Sequence, residues 1–350
     1  MTTKRWTLCF LLLSAVTLTL FAGIMYVTDP LIRYGTESKL FSYYEYSELY
    51  SNPGIAKNYR YDTVLVGTSM IQNTDVQECN ELLGCDMVRL PYPGGTSYNM
   101  KTILDICFAS DNTVETVYWE LDEHQLFGVH DAPRDPLPDY LYRSDHLQDL
   151  SYLLNLDIFF HYDLKNLRGT LQGIEQPVAR EGETLTGDFS EKATLSSYNR
   201  PNKAETSASS EQYIADAKRN LESNIIPLVE ANPDTEFVFF TVPFSILYWD
   251  REMQNGTFDA VMDGLEYALE RLLEYENVRI YFYHDEWEIV TDLDNYKDYS
   301  HYGSWINSYM TRALANYQDR LTADNCESIL NEMRDYIHSY DFDGIFAPAT

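Results

Sequence analysis

Ser69 is the first residue in the sequence whose type and position could support nucleophilic chemistry. It lies in the segment DTVLVGTSMIQN, directly after a run of β-forming residues at 63–67. A serine at such a strand-to-helix turn is exposed above the sheet, and its own N–H joins the positive end of the following helix. Because Ser is also a favoured helix N-cap, this segment alone leaves open whether Ser69 is a nucleophile or a cap.

Asp298 and His301 lie three residues apart in NYKDYSHYGSWINSYM, near the C-terminus. In a tight turn this spacing lets the carboxylate hold one imidazole nitrogen while the other nitrogen points outward. A general base that takes a proton from a serine needs this orientation. The alternative is a capping Asp beside a surface His.

Gly94 and Gly95 form the centre of the turn LPYPGGTSYN, after the second predicted strand. Glycines let backbone N–H groups approach a bound oxyanion closely. A Pro-Gly-Gly sequence is also a common plain turn. The segment therefore contributes candidate oxyanion-hole donors without identifying them.

Short apolar runs alternate with helical segments on both sides of an irregular middle region. This pattern predicts an α/β fold, a doubly wound and mostly parallel sheet of five strands in a three-layer arrangement. Open sheets of this kind place their sites at the carboxyl ends of the strands, where all three segments above are expected to lie. The predicted strands are residues 63–67, 86–90, 114–121, 236–243 and 278–284, and the predicted helices are 71–83, 97–109, one or two within 147–167, 211–231, 258–275, 304–321 and 324–340.

The N-terminal stretch 7–27 has no charge and is long enough to cross a bilayer as one helix. Lys4 and Arg5 precede it, so the positive-inside tendency predicts a cytoplasmic N-terminus and an extracytoplasmic remainder in the cell membrane. A cleaved signal peptide is the alternative, with Ala22-Gly23 as a weak cleavage site. The predicted organisation is 1–6 cytoplasmic, 7–27 transmembrane, 28–60 membrane-proximal, 61–340 an α/β domain with an insertion at 124–210, and 341–350 a tail.

The composition excludes some partners. With 55 acidic and 25 basic residues the formal net charge is −30, which argues against a nucleic-acid partner. Apolar residues make up 45% of the chain, which is ample for a core. The 29 tyrosines suit either half-buried packing or a carbohydrate-facing surface. An anionic polymer would be repelled on average, and Arg60 and Arg89 are the positive groups that the sequence places near Ser69.

Cys79 and Cys85 close a small loop, CNELLGC, and an oxidising exterior would permit a disulfide between them. In the alternative both are reduced, with Cys79 in a helix and Cys85 at the start of the next strand. No cysteine spacing is typical of a zinc site. His124 and His130 could be imagined as metal ligands, but loop histidines are the simpler interpretation, and we predict neither a metal nor a cofactor.

Taken together, these segments resemble the SGNH/GDSL hydrolase superfamily, in which Ser follows the first strand, a Gly the second and Asp-x-x-His the last. The resemblance covers residues 61–317 without the middle insertion. It implies that Ser69 is the nucleophile, His301 the base and Asp298 its orienting carboxylate. It also implies an oxyanion hole made by the N–H groups of Ser69 and of Gly94 or Gly95.

The sequence departs from the family pattern at two places. Thr68 replaces the usual Asp before the Ser, and the third strand runs into WELDEHQLF, which offers no Asn as a third oxyanion donor. An ionised carboxylate cannot donate a hydrogen bond in its place. A membrane-anchored branch that includes the teichoic-acid D-alanylation and alginate-acetylation proteins also lacks this Asn, and the chain is most similar to that branch.

This resemblance implies a membrane-anchored serine esterase or O-acyltransferase. It would act on acyl esters, most simply acetyl, of a cell-surface glycan, together with an acyl donor or a multi-spanning membrane O-acyltransferase. The alternative is a protein of the same fold that binds or scaffolds without catalysis. A secreted carbohydrate-binding module, suggested only by the tyrosines, is a third hypothesis.

Overall fold

The computed structural model describes residues 3–35, 47–143, 146–174 and 185–347. Parts of four predicted segments lie outside this description: the extreme N-terminus, the membrane-proximal segment at 36–46, the insertion at 144–145 and 175–184, and the tail at 348–350. The remaining parts of these segments are described below.

The strands are β1 (Thr63–Gly67), β2 (Met87–Pro91), β3 (Thr116–Glu120), β4 (Glu236–Phe240), β5 (Val278–Tyr281) and β6 (Arg320–Leu321). The helices are α1 (Thr3–Thr28), α2 (Glu48–Asn58), α3 (Val76–Leu83), α4 (Ser97–Phe108), α5 (Glu123–Phe127), α6 (Asp139–Tyr142), α7 (His146–Leu153), α8 (Leu156–Ile158), α9 (Leu164–Leu171), α10 (Glu191–Ser197), α11 (Ser210–Asn220), α12 (Ile226–Ala231), α13 (Ile246–Asn255), α14 (Phe258–Leu272), α15 (Trp287–Val290), α16 (Ser304–Ala315), α17 (Cys326–Ser339) and α18 (Phe342–Ile345). Two π-helical segments, Phe159–Asp163 and Leu221–Ile225, join α8 to α9 and α11 to α12.

The strands form one mixed sheet in the order β2-β1-β3-β4-β5-β6. The first five are parallel, as predicted, and β6 pairs antiparallel with β5 through Leu321 and Arg320. The prediction of five strands is therefore wrong by one. The predicted helix 304–321 ends at Ala315 because the chain then reverses, with Tyr317 and Asp319 at positive φ (57° and 60°). A two-residue strand has too few residues to show the alternation that identifies a strand in a sequence.

The chain divides into two compact units. The first contains Met1–Arg60, Ile106–Asp111 and Asp135–Glu183, and the second contains Tyr61–Asp105, Asn112–Arg134 and Thr184–Thr350. The second unit holds the whole sheet, in which β1 is buried along its whole length and β4 is buried except at Glu236. The first unit is helical, and its core contains Met25, Leu31, Leu141, Tyr152 and Ile158.

The predicted insertion is more structured than its composition suggests. Residues 185–210 contain a helix, α10, in a polar stretch of the insertion for which no helix was predicted. Ser190 caps that helix by accepting the N–H of Ala193. The helix α13 after β4 was not predicted.

Cys79 and Cys85 are free thiols in the structure, so the disulfide that their loop permits is not formed. Cys79 is buried on α3, and Cys85 precedes β2 with its Sγ 4.0 Å from the carbonyl oxygen of Cys79. Burial raises the pKa of Cys79 to about 12, which keeps it protonated. The alternative of two reduced cysteines describes the structure.

Candidate active site

The turn after β1 is shaped by a close approach between Gly67 and Glu120. A side chain at Gly67 would lie 2.7 Å from both Cβ and Oε2 of Glu120, so only glycine fits. The same Oε2 accepts the N–H of Thr68 at 2.7 Å. Glu120 ends β3, the strand next to β1 in the sheet, and it is completely buried. The carboxyl end of β3 therefore fixes the backbone immediately before Ser69.

Ser69 is not a helix N-cap. The turn continues as a short 3₁₀ helix, Ser69–Ile71, whose N-cap is Thr68, and α3 is capped separately by Asp75. Ser69 is therefore left partly exposed at the first position of the 3₁₀ helix. The capping alternative for Ser69 is wrong, since the neighbouring Thr68 and the later Asp75 cap these two helices.

The loop that carries His301 is held by Asp298. Its Oδ1 accepts the backbone N–H groups of Ser300 and His301 at 2.9 and 2.8 Å. Burial alone would raise the pKa of Asp298, but the hydrogen bonds and charge of His301 outweigh it and lower this pKa to about 2. Asp298 is thus ionised at neutral pH and can orient an imidazole.

Ser69, His301 and Asp298 form one connected chain of hydrogen bonds. Ser69 Oγ lies 2.8 Å from His301 Nε2, and His301 Nδ1 lies 2.9 Å from Asp298 Oδ2. The side chains of His301 and Asp298 are each 27% exposed, so solvent-borne molecules can reach them. An Nδ1–H held by a carboxylate leaves Nε2 as the acceptor for the serine proton.

Two buried contacts connect the turn after β1 with the loop that carries His301. The hydroxyl of Tyr302 donates to the carbonyl oxygen of Met70 at 3.0 Å. The side-chain amide of Asn73 donates to the carbonyl oxygen of Tyr302 at 3.3 Å. These contacts join the residues next to Ser69 with those next to His301, although the two segments are more than 200 positions apart.

Ser69 and His301 open into a cavity of about 470 Å³, and Gly94 lines it as well. Gly94 has φ +61°, a left-handed conformation that favours glycine, and the Arg134 guanidinium occupies the place where a side chain would be. Among the described residues, none accepts a hydrogen bond from the N–H of Ser69 or of Gly94. These two amides are the candidate oxyanion-hole donors.

Gly95 does not fit the role that the sequence suggested for it. Its N–H donates to the carbonyl oxygen of Tyr92 at 2.7 Å and closes the turn. A side chain on Gly95 would also collide with Tyr92, so this glycine serves the turn itself. Of Gly94 and Gly95, the two predicted oxyanion-hole donors, only Gly94 has a backbone N–H that donates to no other described residue.

Asp122 follows β3 within the segment WELDEHQLF, which contains no Asn. It is 6% exposed and lines the same cavity as Ser69 and Gly94. Burial raises the pKa of Asp122 above its ordinary value, although His124 and the backbone N–H of Gln125 act in the opposite direction. Burial and the charge of Asp122 also raise the pKa of Glu120. Two adjacent buried carboxyls thus favour protonation, and a protonated carboxyl can donate a hydrogen bond.

The positive group at the cavity is Arg134, which the sequence analysis missed. Its Nη1 donates to the carbonyl oxygen of Pro93 at 2.6 Å, beside Gly94. Arg89 instead is buried, and its Nη1 donates to the carbonyl oxygens of Ile71, Gln72 and Thr74, which shape the segment after Ser69. Arg60 belongs to the first unit and donates to the carbonyl oxygen of Asp111. Arg134 lies in the irregular middle region, where no local pattern indicates a site.

Aromatic rings form one wall of the cavity. Phe244 and Tyr248 stack with centroids 4.1 Å apart, and Tyr299 lies parallel to Tyr248 at 6.2 Å. Tyr299 is the half-exposed member of the three. Flat aromatic faces with polar tips suit the apolar faces and hydroxyl groups of a sugar ring.

Among the residues that the structure describes, no three His, Cys, Asp or Glu side chains are grouped so that they could hold a metal ion. His124 is largely exposed and lies 3.8 Å from Asp122.

No family model, curated protein or solved structure was found to match this chain. The function therefore has to be inferred from the geometry of the site.

Proposed function

We propose that this protein is a membrane-anchored serine esterase or O-acyltransferase that acts on acyl esters, most simply acetyl, of a cell-surface glycan. The observation that carries the proposal is the continuous contact from Ser69 Oγ through His301 to Asp298, at 2.8 and 2.9 Å. This arrangement activates a serine toward a carbonyl carbon.

The reaction would proceed in two halves. Ser69 Oγ attacks the acyl carbonyl carbon while His301 Nε2 takes the hydroxyl proton, and the carbonyl oxygen becomes an oxyanion near the N–H groups of Ser69 and Gly94. The intermediate collapses, the ester C–O bond breaks, and the leaving alkoxide takes the proton from His301. Water or a sugar hydroxyl then attacks the acyl-serine, again with His301 as base, and frees Ser69.

Three features support the choice of substrate. The aromatic wall of Phe244, Tyr248 and Tyr299 is suited to a sugar ring. Arg134 gives the cavity a positive group in a chain of net charge −30, so the favoured glycan is neutral or carries isolated negative groups. In its neutral form Asp122 would supply the third oxyanion donor that the missing Asn leaves open.

The cellular setting rests on α1. It is long and apolar enough to span a membrane, and almost all of it is exposed. The charge pattern around it favours a cytoplasmic N-terminus, which would place the cavity outside the cell. A multi-spanning membrane O-acyltransferase would then be a suitable source of acyl groups for the transfer reaction.

The test is labelling of the full-length chain, in detergent or nanodiscs, with a fluorophosphonate probe. We expect wild type to be labelled and Ser69→Ala to be unlabelled. We expect His301→Ala and Asp298→Asn each to slow labelling by about 100-fold or more, since positioned general bases contribute on this order. Ser328→Ala is the control because Ser328 is an exposed serine on α17 that does not line the cavity, and it should keep its labelling.

The non-catalytic scaffold is the second candidate, and one observation favours it: Glu120 and Asp122 replace neutral donors with buried acids beside Ser69. Absence of labelling in every variant, with wild type folded, would select this candidate. Equal labelling of wild type and Ser69→Ala would also contradict the enzyme proposal.

A further inference from the structure

Three large apolar side chains form an exposed stripe on one helix of the first unit. The segment from α8 through the π-helical turn to α9 is one continuous helix, 156–171. Leu156, Phe160 and Leu164 are 60%, 55% and 47% exposed. Their spacing of four residues places them along one side of the helix.

The opposite side of this helix is partly polar and is buried. Ile158 packs in the core of the first unit, and farther along Asp163 and Asn166 are 1% and 3% exposed. Large apolar groups point outward while an acid and an amide point inward, which inverts the usual pattern of a helix at a water-facing surface. Such a patch in a soluble environment marks an interaction surface.

A contact with α1 indicates how deep helix 156–171 would lie in a bilayer that α1 spans. The ring of Phe159 packs edge-on against Phe21 of α1, with centroids 5.3 Å apart. Phe21 lies six residues before Val27, the end of the uncharged stretch. At about 1.5 Å per residue it therefore lies roughly 9 Å inside that stretch. If residues 7–27 of α1 span the bilayer, Phe21 lies inside the hydrocarbon region. Phe159, which contacts Phe21, then lies at the same depth.

Positive groups on the same helix lie next to the apolar stripe. Lys165 and Arg168 are exposed and follow Leu164 by one and four positions. Long basic side chains extend toward headgroup phosphates while their methylene stems remain among acyl chains. The mixture of an apolar stripe and adjacent cations suits the interface of a bilayer.

We propose that helix 156–171 is embedded in the outer interface of the membrane beside α1, with Leu156, Phe160 and Leu164 among the lipid acyl chains. Lipid covers this stripe, because the Phe21–Phe159 contact connects the stripe with the exposed apolar surface of α1. The chain would then be bound to the bilayer through both α1 and helix 156–171, so the first unit could not rotate freely about α1. This inference rests on the membrane anchoring proposed for α1.

The test places a photoreactive benzoylphenylalanine at single positions of the full-length chain in phosphatidylcholine nanodiscs. Position 160 is compared with Leu13 in α1, which is 67% exposed, and with Leu82 in the second unit, which is 44% exposed. Because acyl chains are absent from the aqueous phase, we expect lipid adducts at 160 to approach those at 13 and to exceed those at 82 by at least about tenfold. The adducts are measured by mass spectrometry of the cross-linked peptides.

Each other outcome overturns a distinct statement. Adducts at 13 together with a background level at 160 would leave the anchor in place and overturn the embedding of helix 156–171. Background levels at both positions would show that α1 does not span the bilayer, and both proposals would fail. In native membranes, a protein adduct at 160 in place of lipid would overturn lipid as the occupant and identify a membrane partner.

Discussion

Gly94 and Glu120 show how individual residues around Ser69 are constrained by what lies next to them. Gly94 has a left-handed backbone and the Arg134 side chain beside its Cα, while Glu120 binds the amide before Ser69 from inside the sheet. Neither constraint involves the Ser69 side chain directly. Both can be tested without replacing Ser69, His301 or Asp298.

Gly94→Ala is expected to impair the site more than it impairs the fold. The positive φ costs about 1–2 kcal/mol for a non-glycine residue, and the new methyl group would displace Arg134 in the cavity. The crowding would also move the residue 94 N–H, which alanine retains, away from the oxyanion. We therefore expect fluorophosphonate labelling to slow by at least about tenfold, since losing the contact of one oxyanion donor costs this much or more.

Gly84→Ala is the matched control. Gly84 has φ +70° at the C-cap of α3, and its missing side chain would meet nothing within 4 Å. It should lose similar stability and keep its labelling rate. Equal slowing in both variants would show that lower stability, and not the position of the Gly94 amide, slows the labelling.

Glu120→Gln is expected to stabilise the protein at neutral pH. Burial and Asp122 raise the pKa of Glu120, so the folded state holds a proton that the unfolded chain, with a pKa of about 4.3, releases. This contribution to the free energy of unfolding is fully present below the unfolded pKa and is lost as pH rises through the folded pKa. Glutamine never ionises, and its amide oxygen can still accept the Thr68 N–H.

Thermal unfolding at pH 4 and pH 8 measures this effect. The Glu120→Gln variant should melt with wild type at pH 4 and a few degrees higher at pH 8, since 1 kcal/mol corresponds to about 2–4 °C in a domain of this size. Glu211→Gln, an exposed carboxyl on α11, should follow wild type at both values. A lower melting temperature of Glu120→Gln at pH 8 would contradict the assignment of a raised pKa.

At the scale of elements, the site is assembled from the carboxyl ends of β1, β2, β3 and β4 and from the loop between α15 and α16. Parallel strands gather their carboxyl ends at one edge, and so Ser69, Gly94 and Asp122 share a cavity. The loop that carries His301 reaches this edge through Tyr296 and Tyr302, which form an isolated antiparallel bridge. The hydroxyl groups of these two tyrosines contact different segments of the chain.

Tyr302→Phe and Tyr296→Phe make a matched pair. Both hydroxyls are buried and donate to carbonyl oxygens, that of Tyr302 to Met70 and that of Tyr296 to Pro243. Each loss should cost about 1 kcal/mol of stability. Only Tyr302→Phe should also slow labelling, because only its hydroxyl contacts the turn that carries Ser69. Identical labelling rates at equal stability loss would show that this hydrogen bond does not position the serine.

At the scale of the whole molecule, α1 contributes to the fold of the first unit in addition to the membrane anchoring proposed for it. Met25 is fully buried with Leu31 and Tyr152, whereas the residues of α1 before Phe21 are almost entirely exposed. The last residues of the predicted membrane span are thus part of a protein core. Removing the end of α1 should therefore destabilise the first unit.

A chain beginning at residue 30 should therefore lose the order of its first unit. Burying a methionine contributes about 1.5–3 kcal/mol, and this truncation also removes Phe21. Limited proteolysis should cut within 135–174 much faster than in the full-length chain. A chain beginning at residue 20 keeps Phe21 and Met25 and should resist as the full-length chain does. Equal resistance of both truncated chains would show that the end of α1 does not stabilise this unit.

Much of the second unit could be predicted from local sequence. The five parallel strands were found within a few residues because each is a short apolar run between helical segments, a pattern that a buried parallel sheet imposes on its own residues. Ser69, Gly94, Asp298 and His301 could be chosen as candidate site residues because turns beside strands and helices carry recognisable residue types. Their convergence follows from the order of the strands.

Only the tertiary structure decided which groups surround those residues. The contact of Glu120 with Thr68, the hydroxyl of Tyr302 on Met70, and Arg134 beside Gly94 join segments that are 40 to 232 positions apart. No local pattern encodes such contacts, since they depend on how side chains fill the space between elements. The sixth strand and the partly polar inner side of helix 156–171 escaped prediction for the same reason. The sequence determined where chemistry could occur, and packing determined the surroundings in which it would have to occur.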